Sequence, residues 1–168
     1  MAHTLSARRR LLAVFCGGFV GTLLRYGLGL LLQGWFGKGW PFDILLINLT
    51  GAGALAILTI LADASLLIGP TRRLLLTTGL LGAYTTFSSL ALGDILLLQQ
   101  GAWLPALLYV LLSLPGGLGM VVLGDWLGQR LVMHLRQRPG GSKAAREQPQ
   151  IDIQDDLLLP DQKESKRL

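Results

Sequence analysis

The chain offers almost nothing from which a catalytic centre could be assembled. Of its 168 residues, one is cysteine and two are histidine. The lone thiol, Cys16, excludes an internal disulfide, and its place inside an apolar run makes it a small buried apolar residue. His3 and His134 lie in polar flanking segments. No set of His, Cys and carboxylates with metal-ligand spacing forms, and no Ser-His-Asp or Cys-His arrangement can be drawn together. Phosphate-binding loops and dinucleotide fingerprints are missing as well. These absences argue against an enzyme. Charge is also scarce. Only 15% of residues are charged against 51% apolar, and the mean hydropathy is +0.52, which excludes an ordinary soluble domain of this size. The net charge of +5 does not indicate nucleic acid, because the basic residues flank apolar runs instead of forming a patch.

What is present is four apolar segments, at residues 11–32, 44–62, 74–98 and 104–127. Each is close to the roughly 20 residues that a membrane-spanning helix needs. Arg8-Arg9-Arg10 before the first run resembles the start of a signal peptide, but the apolar stretch is too long and no small-residue cleavage pattern ends it. The expected fold is therefore an all-α membrane protein. A basic segment (1–10) precedes a four-span domain (11–128), and a polar, disordered tail follows (129–168). Trp35, Trp40 and Pro41 suit an interfacial belt between spans one and two. Gly69-Pro70 marks the next turn, and 99–103 is a tight polar turn.

Lys and Arg set the orientation. Three lie at the N-terminus, two in the loop 63–73 and eight beyond Gly128; the opposite side has only Lys38, and Arg25 lies within span one. With four spans both termini share a face, and the bias makes that face cytoplasmic. Small residues recur as Gly17-x-x-x-Gly21, Gly51-x-Gly53 and Gly116-Gly117-x-Gly119, spacings that let helices approach closely. Four short helices enclose little volume, so a pathway through them needs a second subunit.

The stretch 77–90, Thr-Thr-Gly-Leu-Leu-Gly-Ala-Tyr-Thr-Thr-Phe-Ser-Ser-Leu, organises the rest. It lies in the middle of span three yet is rich in glycine and hydroxyl side chains. Glycine permits backbone shapes other residues resist, and Ser and Thr can take up the backbone groups of a broken helix. Composition alone favours a small-residue face packed against another helix. The order of residues favours a break at mid-membrane, where freed carbonyls can hold a cation and hydroxyls can donate to an anion.

Other residues suit two roles each. Arg25 is a costly charge within a span, and it either serves a site or snorkels to the interface. Asn48 is either interhelical glue or an amide donor to an anion. Tyr109 and Ser113 share one face of span four, suited to interhelical bonding or to a polar track. Phe87 is a core aromatic or a ring whose positive edge borders an anion path. Asp43 and Asp94, near span ends, are interfacial.

Three motifs in order on spans one, two and three resemble the CrcB/Fluc family of fluoride channels: Gly17-Gly18-x-x-Gly21-x-x-x-Arg25-Tyr26, Asn48-Leu49-x-Gly51, and Thr78-Gly79-x-x-Gly82-x-x-Thr85-Thr86-Phe87-Ser88. The third is the specific one. The resemblance implies a dimer of four-helix subunits inserted antiparallel, with two fluoride pores along their interface. It further implies a central sodium ion held by the carbonyls of Gly82 and Thr85. Pore-lining roles fall to Asn48, Phe87, Ser88 and Ser89, with Tyr109 and Ser113 on a polar track and Arg25 at the vestibule. The implied activity is passive export of cytoplasmic fluoride across a bacterial plasma membrane.

Two positions depart from the family's pattern. Leu90 replaces a second phenylalanine and so removes a ring edge, and Gly93 replaces an acidic residue, with Asp94 adjacent. The charge bias is also stronger than dual insertion favours, so the partner is either a copy or an oppositely inserted homologue, the bias favouring the homologue. A four-span drug/proton antiporter would need a titratable carboxylate at mid-depth, absent from spans one and two. A non-transporting scaffold would explain the small-residue faces but not the Thr-Thr-Phe-Ser break.

Overall fold

Four long helical spans run up and down in chain order in the computed structural model, which describes residues 6–64 and 68–136. The chain divides into two units, Met1–His134 and Leu135–Leu168. Of the second unit, only the end of the last helix lies among the described residues; the polar tail beyond Arg136 does not.

Helix α1 (Ala7–Phe36) carries the first apolar run and ends at Gly37, whose φ of 76° is open chiefly to glycine. Helix α2 (Phe42–Asp63) begins after Pro41. The third span, Pro70–Gln99, is composite. It starts as α3 (Pro70–Arg73), with proline in the first turn, where its missing N–H costs nothing. It then widens into a π-helix over Leu74–Leu81 and tightens again in α4 (Gly82–Tyr84). After two extended residues it resumes as α5 (Phe87–Gln99). Helix α6 (Trp103–Arg136) completes the bundle with Pro115 inside it. All four spans are long and apolar enough to cross a membrane, as the sequence predicts.

Missing side chains set the packing of α1 on the π-segment. A methyl on Gly17 would overlap the carbonyl oxygen of Leu75 and lie 3.0 Å from Cα of Gly79, and one on Gly21 would overlap Leu80. A methyl on Gly79 would in turn come within 2.8 Å of the Val14 carbonyl oxygen. A second seam joins α2 to α6. Gly53 faces Met120, Gly124 faces Gly53 and Ala56, and Gly128 faces Ile60, while Gly116 receives Leu49. The stripe on α6 therefore steps by four residues. Gly117 and Gly119, expected in the same contact, have no neighbour within 4 Å, because they fall off that stripe.

An apolar cluster of Leu45, Leu90, Leu97, Ala106 and Tyr109 closes the end of the bundle nearest the 37–41 and 100–102 turns. Trp40 packs edge-on to Tyr109 with ring centroids 5.3 Å apart and donates its indole N–H to the Pro105 carbonyl at 3.2 Å. One of the two tryptophans expected in an aromatic belt is thus part of the packing, whereas Trp35 is exposed. One further expectation is corrected. Cys16 is exposed, because α1 packs through Ala13, Gly17 and Gly21 and position 16 lies off that line. Asp43, in the first turn of α2, is buried in the protein, and its carboxylate accepts a 2.7 Å hydrogen bond from the Gln33 amide.

Candidate functional site

The interruption expected in the third span is present, at Thr85 and Thr86. Their backbone angles are extended, φ/ψ −79°/155° and −154°/119°. The Thr85 N–H still bonds back to the Leu81 carbonyl, which closes the last turn of α4. No backbone N–H from the following turn reaches the carbonyls of Gly82, Ala83, Tyr84 or Thr85. A methyl on Gly82 would find only the Thr77 carbonyl oxygen, 3.8 Å away. The break therefore presents uncommitted peptide oxygens with little side chain in front of them.

On the other side of the break, Thr86 caps α5. Its hydroxyl accepts from the Ser89 N–H at 3.2 Å, donates to Ser89 Oγ at 3.1 Å and lies 3.2 Å from Ser88 Oγ. This is a helix N-cap. The Thr86 peptide is held from α2: its N–H donates to Asn48 Oδ1 at 2.8 Å, and its carbonyl accepts from Asn48 Nδ2 at 2.9 Å. One turn along α2, a methyl on Gly51 would overlap Thr85 Cγ2 and crowd the Tyr84 ring. Gly51 thus lets α2 approach closely enough for Asn48 to reach. Tyr84 is held 3.1 Å from Thr50 Oγ1.

A groove of about 970 Å³ opens along the outer side of this junction, lined by Asn48, Gly82, Thr85, Thr86, Phe87, Leu90 and Ser113 and running down to Asp125. It gathers five of the residues singled out from the sequence: Asn48, Gly82, Thr85, Phe87 and Ser113. The Phe87 ring is 72% exposed on the single subunit. The Ser113 hydroxyl is buried and has no hydrogen-bond partner. Ser88 is exposed beside Phe87. The other predicted residues lie elsewhere. Tyr109 is fully buried, its hydroxyl unpartnered. Ser89 faces a separate cavity of about 430 Å³ with Arg25, Gln33 and Asp43. Leu90, although it borders the groove, is buried and packs in the apolar cluster. Gly93 leaves room for its neighbours, since a methyl there would sit 3.3 Å from Pro41 and 3.4 Å from the Tyr109 ring.

Thr86 is the functional residue that sequence reasoning leaves without a role. Its only signal is its place in the Thr-Thr-Phe-Ser string. Gln33 and Asp43 are likewise unassigned as a pair, since a contact across the α1–α2 turn is not visible in composition. Among the described residues no group of three or more His, Cys, Asp or Glu side chains is placed to hold a metal.

These features define a four-span integral membrane protein with an interrupted helix, an architecture in which unwound carbonyls and helix ends are presented to ions. The chain belongs to the CrcB family: residues 12–125 match the family described as CrcB-like protein, Camphor Resistance (CrcB). Relatives named fluoride-specific ion channel FluC include one from Thermus thermophilus, 45% identical over 123 residues, covering 73% of this chain and 98% of the relative. That of Chloroflexus aurantiacus strain J-10-fl is 41% identical over 119 residues, covering 71% and 94%. That of Shewanella amazonensis is 42% identical over 116 residues, covering 69% and 93%.

Proposed function

We propose that this protein is a fluoride-selective channel through which cytoplasmic fluoride leaves the cell passively, and that it performs no chemistry on its substrate. The observation that carries the reading is the break at Thr85 and Thr86, in a chain whose relatives are named fluoride-specific channels. A small anion entering the hydrocarbon loses its water at a cost of many kcal/mol unless donors replace it. Hydroxyls at Ser88, Ser89 and Ser113, the Asn48 amide, the Tyr109 hydroxyl and the positive edge of the Phe87 ring can act as donors. None is a fixed cation that would trap the ion. Arg25 lies at the vestibule, where its charge concentrates anions ahead of the narrow section.

The carbonyls of Gly82 and Thr85 would hold a sodium ion. Hard cations take oxygen ligands, and rings of peptide carbonyls serve as such sites in channels. The uncommitted state of both carbonyls fits that donor set. A bound cation adds positive charge that lowers the cost of an anion nearby. Each subunit offers only part of such a ring, so the site and the pores are completed by a second subunit, a copy or an oppositely inserted homologue.

Fluoride enters from acidic surroundings as neutral HF, ionises inside and is then trapped as the anion. A membrane potential negative inside drives that anion outward by about 2.3 kcal/mol per 100 mV, so a passive pore in the plasma membrane suffices for export. The test is efflux from liposomes carrying the purified protein. Fluoride is expected to leave far faster than from empty vesicles while chloride stays. Fluoride held back as in empty vesicles would overturn the reading. Replacing sodium on both sides by a large organic cation is expected to stop the efflux.

A further inference from the structure

We propose that Asn48 is a positioning residue. Its carboxamide takes the place of a neighbouring strand for the Thr86 peptide, and the shape of the break depends on both bonds. The inference rests on the fluoride-channel reading and assigns to Asn48 and Thr86 a task that reading does not contain.

Thr86 is 8% exposed and its backbone is extended, so it lacks the neighbours a helix would give its N–H and C=O. Buried in the middle of a span, each group left unpaired costs several kcal/mol. Asn48 satisfies both at once, accepting at 2.8 Å and donating at 2.9 Å. Few side chains can do this from that position. The carboxamide offers one acceptor and one donor in a plane, as a peptide does. Ionised Asp lacks the donor, and Leu offers neither.

The pairing also fixes which way the amide points, because a flipped carboxamide would set N–H against N–H and oxygen against oxygen. One amide hydrogen remains uncommitted, and Asn48 lines the groove. The Phe87 ring, 72% exposed, has little packing of its own. Its direction is therefore inherited from the Thr86 backbone. So are the positions of the Thr85 carbonyl just before Thr86 and of the α5 cap that Thr86 Oγ1 forms just after it. Asn48 thus acts on the ion path through Thr86, whatever contact its remaining hydrogen makes.

Asn48→Asp tests this directly. A protonated carboxyl presents the same acceptor and donor as the amide, whereas a carboxylate does not. The two forms are therefore compared by lowering the pH from 8 to 5.5. Fluoride efflux from vesicles, with empty vesicles subtracted at each pH, is expected to be at least a hundredfold below the natural protein at pH 8. It should recover at least tenfold by pH 5.5, while Asn48→Ala stays low throughout.

In parallel, hydrogen exchange of the peptide containing Thr86, corrected for intrinsic rate, is read in detergent. Protection should be lost in Asn48→Ala and in Asn48→Asp at pH 8, and regained in Asn48→Asp at pH 5.5. Unchanged Thr86 protection in both variants, with efflux lost, would mean that Asn48 is only an ion ligand and would overturn the proposal. A flat pH response of Asn48→Asp would do the same. Should Asn48→Ala not fold, Asn48→Asp purified at low pH supplies the comparison alone. Should the natural protein pass no fluoride, the channel reading falls, and the exchange data still decide whether the clamp exists.

Discussion

At the level of single residues, the exposed ring of Phe87 stands next to the buried peptide of Thr86, and the two have opposite consequences. Phe87 has little packing on the subunit, so Phe87→Ile should shift stability by no more than about 0.5 kcal/mol. It removes the ring edge, however, and fluoride efflux should fall at least tenfold. Retained efflux with an unchanged melting temperature would remove Phe87 from the ion path. Asn48 and Phe87 are both legible in the sequence as polar or aromatic oddities within spans. Their partners are not. The bond from Asn48 to Thr86 joins residues 38 apart and exists only because the chain is extended at one peptide. The partner of Asp43 is hidden for a related reason: nothing in its local sequence shows that Gln33 turns back to meet it.

Among the elements, the third span is the one whose character has to be inferred and whose form is only half visible. Glycine and hydroxyl residues in the middle of an apolar run point to the break. The π-helix of Leu74–Leu81 gives no sign, because a run of leucines and threonines has no polar face to report its period. The glycines opposite it read as close-packing residues, and they hold that contact. Gly17→Val should therefore overlap the π-segment backbone and cost about 1–3 kcal/mol, read as a lowered melting temperature in detergent. Gly27→Ala is the control: that position has no neighbour within 4 Å, and alanine in place of mid-helix glycine should stabilise by about 0.5–1 kcal/mol. Equal effects of the two substitutions would show that helix propensity, and not backbone approach, governs α1.

Across the whole molecule, four apolar spans are readable from length and hydropathy alone, because the bilayer sets the length of a helix. The surface they present is less readable. Large apolar side chains such as Phe15, Phe19, Leu107 and Leu118 are exposed, and lipid and a second subunit would both accept them. The distribution of charge adds the missing direction. Arg72 and Arg73 lie in α3, at the start of the third span, Arg73 paired with Asp63 at the end of α2 at 2.7 Å, whereas Lys38 is the only basic residue in the turns at the opposite end. With Cys16 replaced by serine, Lys38→Cys should react with a membrane-impermeant maleimide added outside intact cells, and Arg72→Cys should not. Equal labelling of both would show insertion in two orientations and would make a copy of this chain a sufficient partner.

The most direct measurement is electrical. With the protein in a planar bilayer, equal chloride on both sides and a fluoride gradient across it, the current should reverse at the equilibrium potential of fluoride. Reversal at the chloride potential, or no protein-dependent current with sodium present, would contradict the account of a fluoride path built around the opened third span.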